Sequence, residues 1–315
     1  MGMQLLLLFF SCFLLFFCGM AMMKYGFQQM SHRQLEKWLY NCTNAPIKSF
    51  LTGMIATALV HSSSLVMVIT VSFVSAGLLK FKDAIGIILG SNVGTTFTTE
   101  FLAVEIDDYL GMMFAISLLL MIFKNRILFS LGCSCFGISC IFLALNGFEK
   151  AAFLLSDLQV MSDLLAKSSD HLLFSVGISA VFTGIIQSST ALIGIVMSFM
   201  NEQLLPLETG LAFVLGANIG TCITALLASI GSKQEAKYTA FAHLWLNVFG
   251  VILFVPLIPF FANNLKLLTN EPDFQIAHFS LIFNLITSLI ILPFANQYAN
   301  FVLWWTKTIS AWIKK

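Results

Sequence analysis

The chain has 315 residues, 58% of them hydrophobic and 10% charged, with a formal net charge of +1 at pH 7. Soluble domains carry about 25% charged residues, so this chain cannot cover a water-facing surface and takes lipid as its solvent. That excludes a soluble enzyme or a nucleic-acid binder and predicts an all-α polytopic protein, multi-pass in the cell (plasma or inner) membrane. The seven cysteines lie mostly in apolar runs without a CxxC pair, so neither a disulfide framework nor a metal site is expected.

A membrane-crossing helix needs about 20 apolar residues. Residues 3–23 fit, and without a basic leader or a small-residue cleavage site they are expected to remain as a span. Residues 24–48 are more polar and read as a segment lying at the membrane interface. Residues 50–79 are too long for one straight span and too short for two, and the polar run His61–Ser64 interrupts them. Each arm would be about 18–22 Å long, enough to reach mid-membrane and turn back. The pattern predicts a re-entrant helical hairpin whose polar tip is buried in protein or lines a cavity.

Residues 84–104 follow, and Gly90 and Gly94 inside them predict a broken transmembrane helix. Spans at 109–123 and 127–147 complete a first repeat, about 50–147, and a polar connector covers 148–171. A second hairpin is expected at 172–200 with its tip at Gln187–Thr190, then a helix at 210–230 broken at Gly216 and Gly220. Spans at 239–262 and 276–295 complete a second repeat, about 172–295. The whole reads as a single transmembrane transport domain.

The two repeats share a polar signature at a constant offset. Thr57, Ser62, Gly90, Gly94 and Thr98 return as Thr183, Ser188, Gly216, Gly220 and Thr224, each 126 residues later. The shared residues are polar or glycine, whereas a chance repeat would more readily share the abundant Leu, Ile and Phe. Basic residues mark cytoplasmic loops. With Lys80, Lys82, Lys124, Arg126, Lys233 and Lys237 placed inside, the first hairpin opens inward and the second outward; Lys150, Lys167 and Lys266 dissent singly. The repeats are therefore expected to be inverted. Inverted repeats with discontinuous helices characterise secondary transporters, which bind substrate near the midplane.

The tip residues Ser62, Ser63, Ser64, Ser188, Ser189 and Thr190 supply hydroxyls beside helix N-termini, an arrangement that suits an anion. Asn92, Thr95 and Thr98, with Asn218, Thr221 and Thr224, supply oxygens that suit a small hard cation such as Na⁺. His61 and Gln187 occupy equivalent positions, and a hydrogen-bonding role is the simpler expectation for His61. Neither motif contains Lys or Arg. A multiply charged anion would face a desolvation cost there, which bound cations would offset. Cation-coupled anion transport follows. Glu100 stands alone near the first broken helix, as a solvated helix end or part of a cation site.

At these residues the chain resembles the type II sodium/phosphate cotransporters, bacterial members included. That family doubles a Gln-Ser-Ser-Ser-type motif, each copy followed by Gly-x-Asn-x-Gly-Thr. Gln187-Ser188-Ser189-Thr190, Gly216–Thr221 and Gly90–Thr95 match, whereas His61 stands where the family usually has Gln. The resemblance implies sodium-coupled symport of inorganic phosphate by alternating access, with the Ser/Thr motifs forming the sites. It implies no cofactor beyond transported Na⁺ and phosphate. It leaves room for a homodimer; many bacterial relatives append a C-terminal soluble regulatory domain, which this chain, ending at Lys315, is expected to lack.

The alternatives are a cation-coupled transporter of another small oxyanion and a non-transporting membrane sensor or assembly protein. A membrane hydrolase built on His61 is disfavoured, because Gln187 at the equivalent position cannot act as a base.

Overall fold

The computed structural model describes residues 2–41, 45–104, 106–155 and 159–313. Helix dominates these residues and no strand forms among them. The first half contains α1 (Gly2–Asn41), α2 (Pro46–Val60), α3 (Ser63–Ala76), α4 (Phe81–Leu102), α5 (Leu110–Met121) and α6 (Arg126–Leu155). After α7 (Gln159–Asp170) come α8 (Leu172–Ile186), α9 (Ser189–Asn201), α10 (Leu207–Gly220) and α11 (Cys222–Ala228). The chain closes with α12 (Gln234–Phe254), α13 (Ile258–Leu268), α14 (Pro272–Ile291) and α15 (Ala295–Ile313). Among the described residues, 5 stretches are long and apolar enough to cross a membrane, within Leu7–Ser31, Arg126–Ala152, Leu207–Ala228, Gln234–Leu268 and Pro272–Thr306.

The four short apolar helices α2, α3, α8 and α9 form two helix–turn–helix units, each broken at its polar tip. Every arm has 13–15 residues, or about 20–22 Å, too short to span alone.

Four sequence expectations change. Residues 24–41 are not a separate interfacial segment but continue the first span as one 40-residue helix. Between Gly19 and Asn41 there is no proline and Gly26 is the single glycine, while Lys, Gln, Met, Leu and Glu propagate a helix well; the first charge marks no helix end. Second, α4 runs unbroken through Gly90 and Gly94, whereas α10 passes Gly216 and ends at Gly220, with α11 starting at Cys222. Third, α5 has only 12 residues, about 18 Å, and does not reach across on its own. Fourth, the last two spans are longer than expected. Each is interrupted by a three-residue 3₁₀ turn, at Val255–Leu257 and Leu292–Phe294, where Pro256 and Pro293 remove a helical N–H. Part of the 148–171 connector is also helical, as the end of α6 and as α7.

The glycines of α4 and α10 serve close packing. A Cβ at Gly90 would meet the Phe50 carbonyl, and one at Gly94 the Met54 carbonyl. At Gly216 and Gly220 the obstacles are the carbonyls of Val176 and Ala180. Each of these partners also lies 126 residues beyond its counterpart. The same α2–α4 contact is thus built again between α8 and α10, which seats each hairpin tip beside the polar stretch of its own repeat.

Two apolar cores hold the assembly. One joins α1 and α6 to α9, α10, α13 and α14, with Phe16, Phe148, Phe254, Phe279 and Phe283 nearly inaccessible. The other joins α2, α3 and α4 to α12 and α15 around Met67, Ile85, Ile88 and Leu246.

Candidate functional site

The tips are built alike. α2 ends on His61 (φ 48°) and α8 on Gln187 (φ 57°), both left-handed. Such backbone in a residue other than glycine costs about 1–3 kcal/mol, persists only where the surroundings impose it, and clusters at ligand clamps. One residue later the backbone is extended, and Ser62 and Ser188 become the N-caps of α3 and α9. Ser62 Oγ accepts from Leu65 N–H, and Ser188 Oγ from Ala191 N–H, each at 3.3 Å.

The hydroxyls of each tip therefore divide their work. The first caps its helix. The side chains of Ser63, Ser64, Ser189 and Thr190 make no hydrogen bond with any described residue, although Ser189 and Thr190 are buried. All four face one cavity. It is also lined by His61, Ser62, Thr95, Thr98, Gln187, Ser188, Thr221 and Lys24, and measures about 300 Å³ including its open mouth. The room inside it for the centre of a water-sized sphere is only about 20 Å³, so it suits a small ion rather than an organic solute.

Two other lining hydroxyls differ in their hydrogen-bond polarity. Thr95 Oγ1 donates to the Ser91 carbonyl at 2.9 Å, and Thr221 Oγ1 to the Asn218 carbonyl at 2.8 Å. A hydroxyl whose proton is committed to a helix carbonyl offers only lone pairs. The cavity thus presents free donors at two helix N-termini and acceptor oxygens from α4 and the α10–α11 junction. Thr98 Oγ1 lies 3.0 Å from His61 Nδ1. The His61 ring sits between Phe27 and Phe101, with centroids 4.8 and 6.4 Å away. Packing and one hydrogen bond hold this imidazole at the tip.

Three of the fourteen residues singled out in the sequence do not line the cavity: Asn92, Asn218 and Thr224. Asn92 Nδ2 donates to Asn247 Oδ1 at 2.9 Å, and its Oδ1 meets His243 Nε2 at 3.1 Å. Asn247 Nδ2 is also within 3.1 Å of Cys222 Sγ and of the His243 carbonyl. This buried network ties repeat 1 to α12. Asn218 Nδ2 bonds the Val214 carbonyl of its own helix at 2.9 Å, and Thr224 Oγ1 the Thr221 carbonyl at 2.9 Å. Glu100 is not isolated: its Oε1 lies 2.9 Å from His278 Nδ1 on α14, away from the cavity lining.

The repeats are not identical at the site. Thr57 Oγ1 pairs with Ser91 Oγ at 2.8 Å. The equivalent of Ser91 is Ala217, and Thr183 Oγ1 is buried without a hydrogen-bond partner among the described residues.

Sequence reasoning missed two features. One is Lys24, taken for the end of a span. The other is the His243/Asn247 pair, which was legible: two polar residues one helical turn apart in an otherwise apolar stretch face the same way.

Residues 15–150 and 155–283 match the family model described as Na⁺/Pi-cotransporter. The YqeW protein of Bacillus subtilis (strain 168) is 40% identical over 300 residues, covering 95% of this chain and 98% of that one. A protein of Escherichia coli (strain K12), provisionally named as an inorganic phosphate export protein, YjbB, is 24% identical over 284 residues. That match covers 90% of this chain but 52% of the relative, so the chain spans about half its length. The sodium-dependent phosphate transport protein 2A of Oryctolagus cuniculus is 35% identical over 88 residues, 27% of this chain and 14% of that protein. No solved structure matches the chain.

Proposed function

This chain belongs to the Na⁺/Pi-cotransporter family, and from that premise we propose that it carries inorganic phosphate across the cell membrane by sodium-coupled symport. The observation that carries this reading is a single cavity whose lining combines the unpartnered hydroxyls of Ser63, Ser64, Ser189 and Thr190 with the acceptor oxygens of Thr95 and Thr221. Donors at a helix N-terminus suit an oxyanion. Each terminus contributes about 0.3–1 kcal/mol, and up to about 2 kcal/mol when partly buried. Hydrogen bonds from hydroxyls to a charged partner add about 1.5–3 kcal/mol each. Together these offset the desolvation that an anion suffers on leaving water. The threonine oxygens would hold Na⁺ close enough to share the negative charge.

Transport follows from whose tips these are. One tip belongs to each repeat, so a ligand between them is released when either hairpin moves away from the other. If the repeats are inverted, as the lysine placement supports, the two movements open opposite sides of the membrane. That is alternating access with one shared site and no separate gate domain.

Radiolabelled phosphate uptake into proteoliposomes containing the purified protein tests this. An inward sodium gradient is expected to drive saturable accumulation above the level reached with potassium. Saturable uptake indifferent to sodium removes the coupling, and sodium-driven movement of another oxyanion in place of phosphate changes the substrate.

A further inference from the structure

Lys24 is the part of the cavity that the functional reading leaves unused. It is the sole Lys or Arg among the lining residues, and no Asp or Glu joins it there. Its side chain forms no hydrogen bond or ion pair with any described residue. It lies mid-helix in α1, following the apolar run Phe13–Met23. An ionisable residue inside a membrane span is costly and is functional by default, its partner being what must be named.

The helix around it is fixed on two sides. A Cβ at Gly19 would meet the Gly137 carbonyl, and one at Gly26 would meet Ser130 and Ser134, so α1 lies directly on α6. Arg126 donates to the Gln29 carbonyl at 3.0 Å and to Gln29 Oε1 at 2.8 Å. On the opposite side Phe27 packs against His61 at the first hairpin tip, 4.8 Å between centroids. Lys24 stands between these anchors and lines the same cavity as the serine tips.

We propose that Lys24 is the fixed countercharge of the anion site, its ammonium pairing with an oxygen of the phosphate held between the two tips. The proposal rests on the phosphate reading and adds to it. Sodium is then not the sole positive charge at the site, and part of the anion's charge is balanced by the protein itself. The sequence contains a built-in comparison. Lys24-x-x-Phe27 returns 126 residues later as Lys150-x-x-Phe153, but Lys150 is exposed and outside the cavity. The same residue type at the equivalent position thus serves as the control.

Phosphate binding to the full chain in detergent is measured by calorimetry, with sodium present, for wild type, K24Q, K24M, K24R and K150Q. Melting curves confirm that each variant is folded. The neutral variants K24Q and K24M are expected to lose about 10- to 150-fold in affinity, the range for a hydrogen bond to a charged group. K24R is expected to stay within a few-fold of wild type, and K150Q to match it. A fold defect in one neutral variant leaves the other to decide. Wild-type affinity in K24Q or K24M overturns the proposal while the phosphate reading stands. Equal loss in K24R and K24Q also overturns it, because charge would then not be what matters. Wild-type protein that binds no phosphate removes the functional reading itself, and with it the proposal.

Discussion

Adjacent serines at one tip should fail in different ways when replaced. Ser188 Oγ accepts the Ala191 N–H at 3.3 Å and caps α9, whereas the hydroxyl of Ser189 has no partner among the described residues. Ser188→Ala removes a cap, which costs about 0.5–2 kcal/mol of stability. Ser189→Ala removes nothing that holds the fold. If its hydroxyl donates to phosphate, the lost charge-assisted hydrogen bond is worth about 1.5–3 kcal/mol, or about 10- to 150-fold in affinity. The assay pairs melting curves without ligand with phosphate titration in sodium. Ser189→Ala is expected to melt like wild type and bind phosphate at least tenfold more weakly. Ser188→Ala is expected to melt lower and, once folded, to bind more nearly as wild type does. Unchanged phosphate affinity in Ser189→Ala refutes the division between capping and ligand hydroxyls, and so does a stability loss equal to that of Ser188→Ala.

Other predictions follow from packing. Gly90→Ala drives a methyl into the Phe50 carbonyl. It should destabilise by about 1–3 kcal/mol as overpacking, seen as a lower melting temperature. Gly177→Ala meets nothing within 4 Å and should be neutral or stabilising by up to about 1 kcal/mol through helix propensity. Asn92→Ala strands buried groups on His243 and Asn247, so it should cost about 1–3 kcal/mol of stability. In the protein that remains folded, sodium dependence of uptake should keep its wild-type midpoint; a large midpoint shift would return Asn92 to the cation site. His61→Gln restores the residue type found at Gln187 and should support uptake at rates near wild type. Abolished transport would assign the imidazole a chemical role that its single bond to Thr98 does not suggest.

The hairpin tips were legible because a few polar residues in an apolar chain recur at one offset, and lipid leaves buried polar groups few roles. The glycines were legible as a signal but not in meaning. Glycine weakens a helix and also lets two backbones touch, and the pattern alone does not say which applies. In α4 contact with α2 prevails and the helix is unbroken. In α10 the same signature ends the helix at Gly220. Lys24 was illegible because a charge after an apolar run reads as the end of a span, and only tertiary packing places a mid-helix lysine opposite two tips far away in sequence. The consequence was chemical. A site whose motifs contain no Lys or Arg has Lys24 in its lining. Asn92 shows a further limit: its partners lie 151 and 155 residues away, and an asparagine in a repeated motif gives no sign whether it faces an ion or a buried neighbour.

The central claim is that the tips of two repeats form one anion site. Electron cryo-microscopy of the protein in phosphate and sodium tests it most directly. Density for a tetrahedral anion is expected between α3 and α9, within hydrogen-bonding distance of the hydroxyls of Ser63 or Ser64 on one side and Ser189 or Thr190 on the other. Anion density contacting one tip alone, or bound elsewhere while this cavity holds only water, would contradict it.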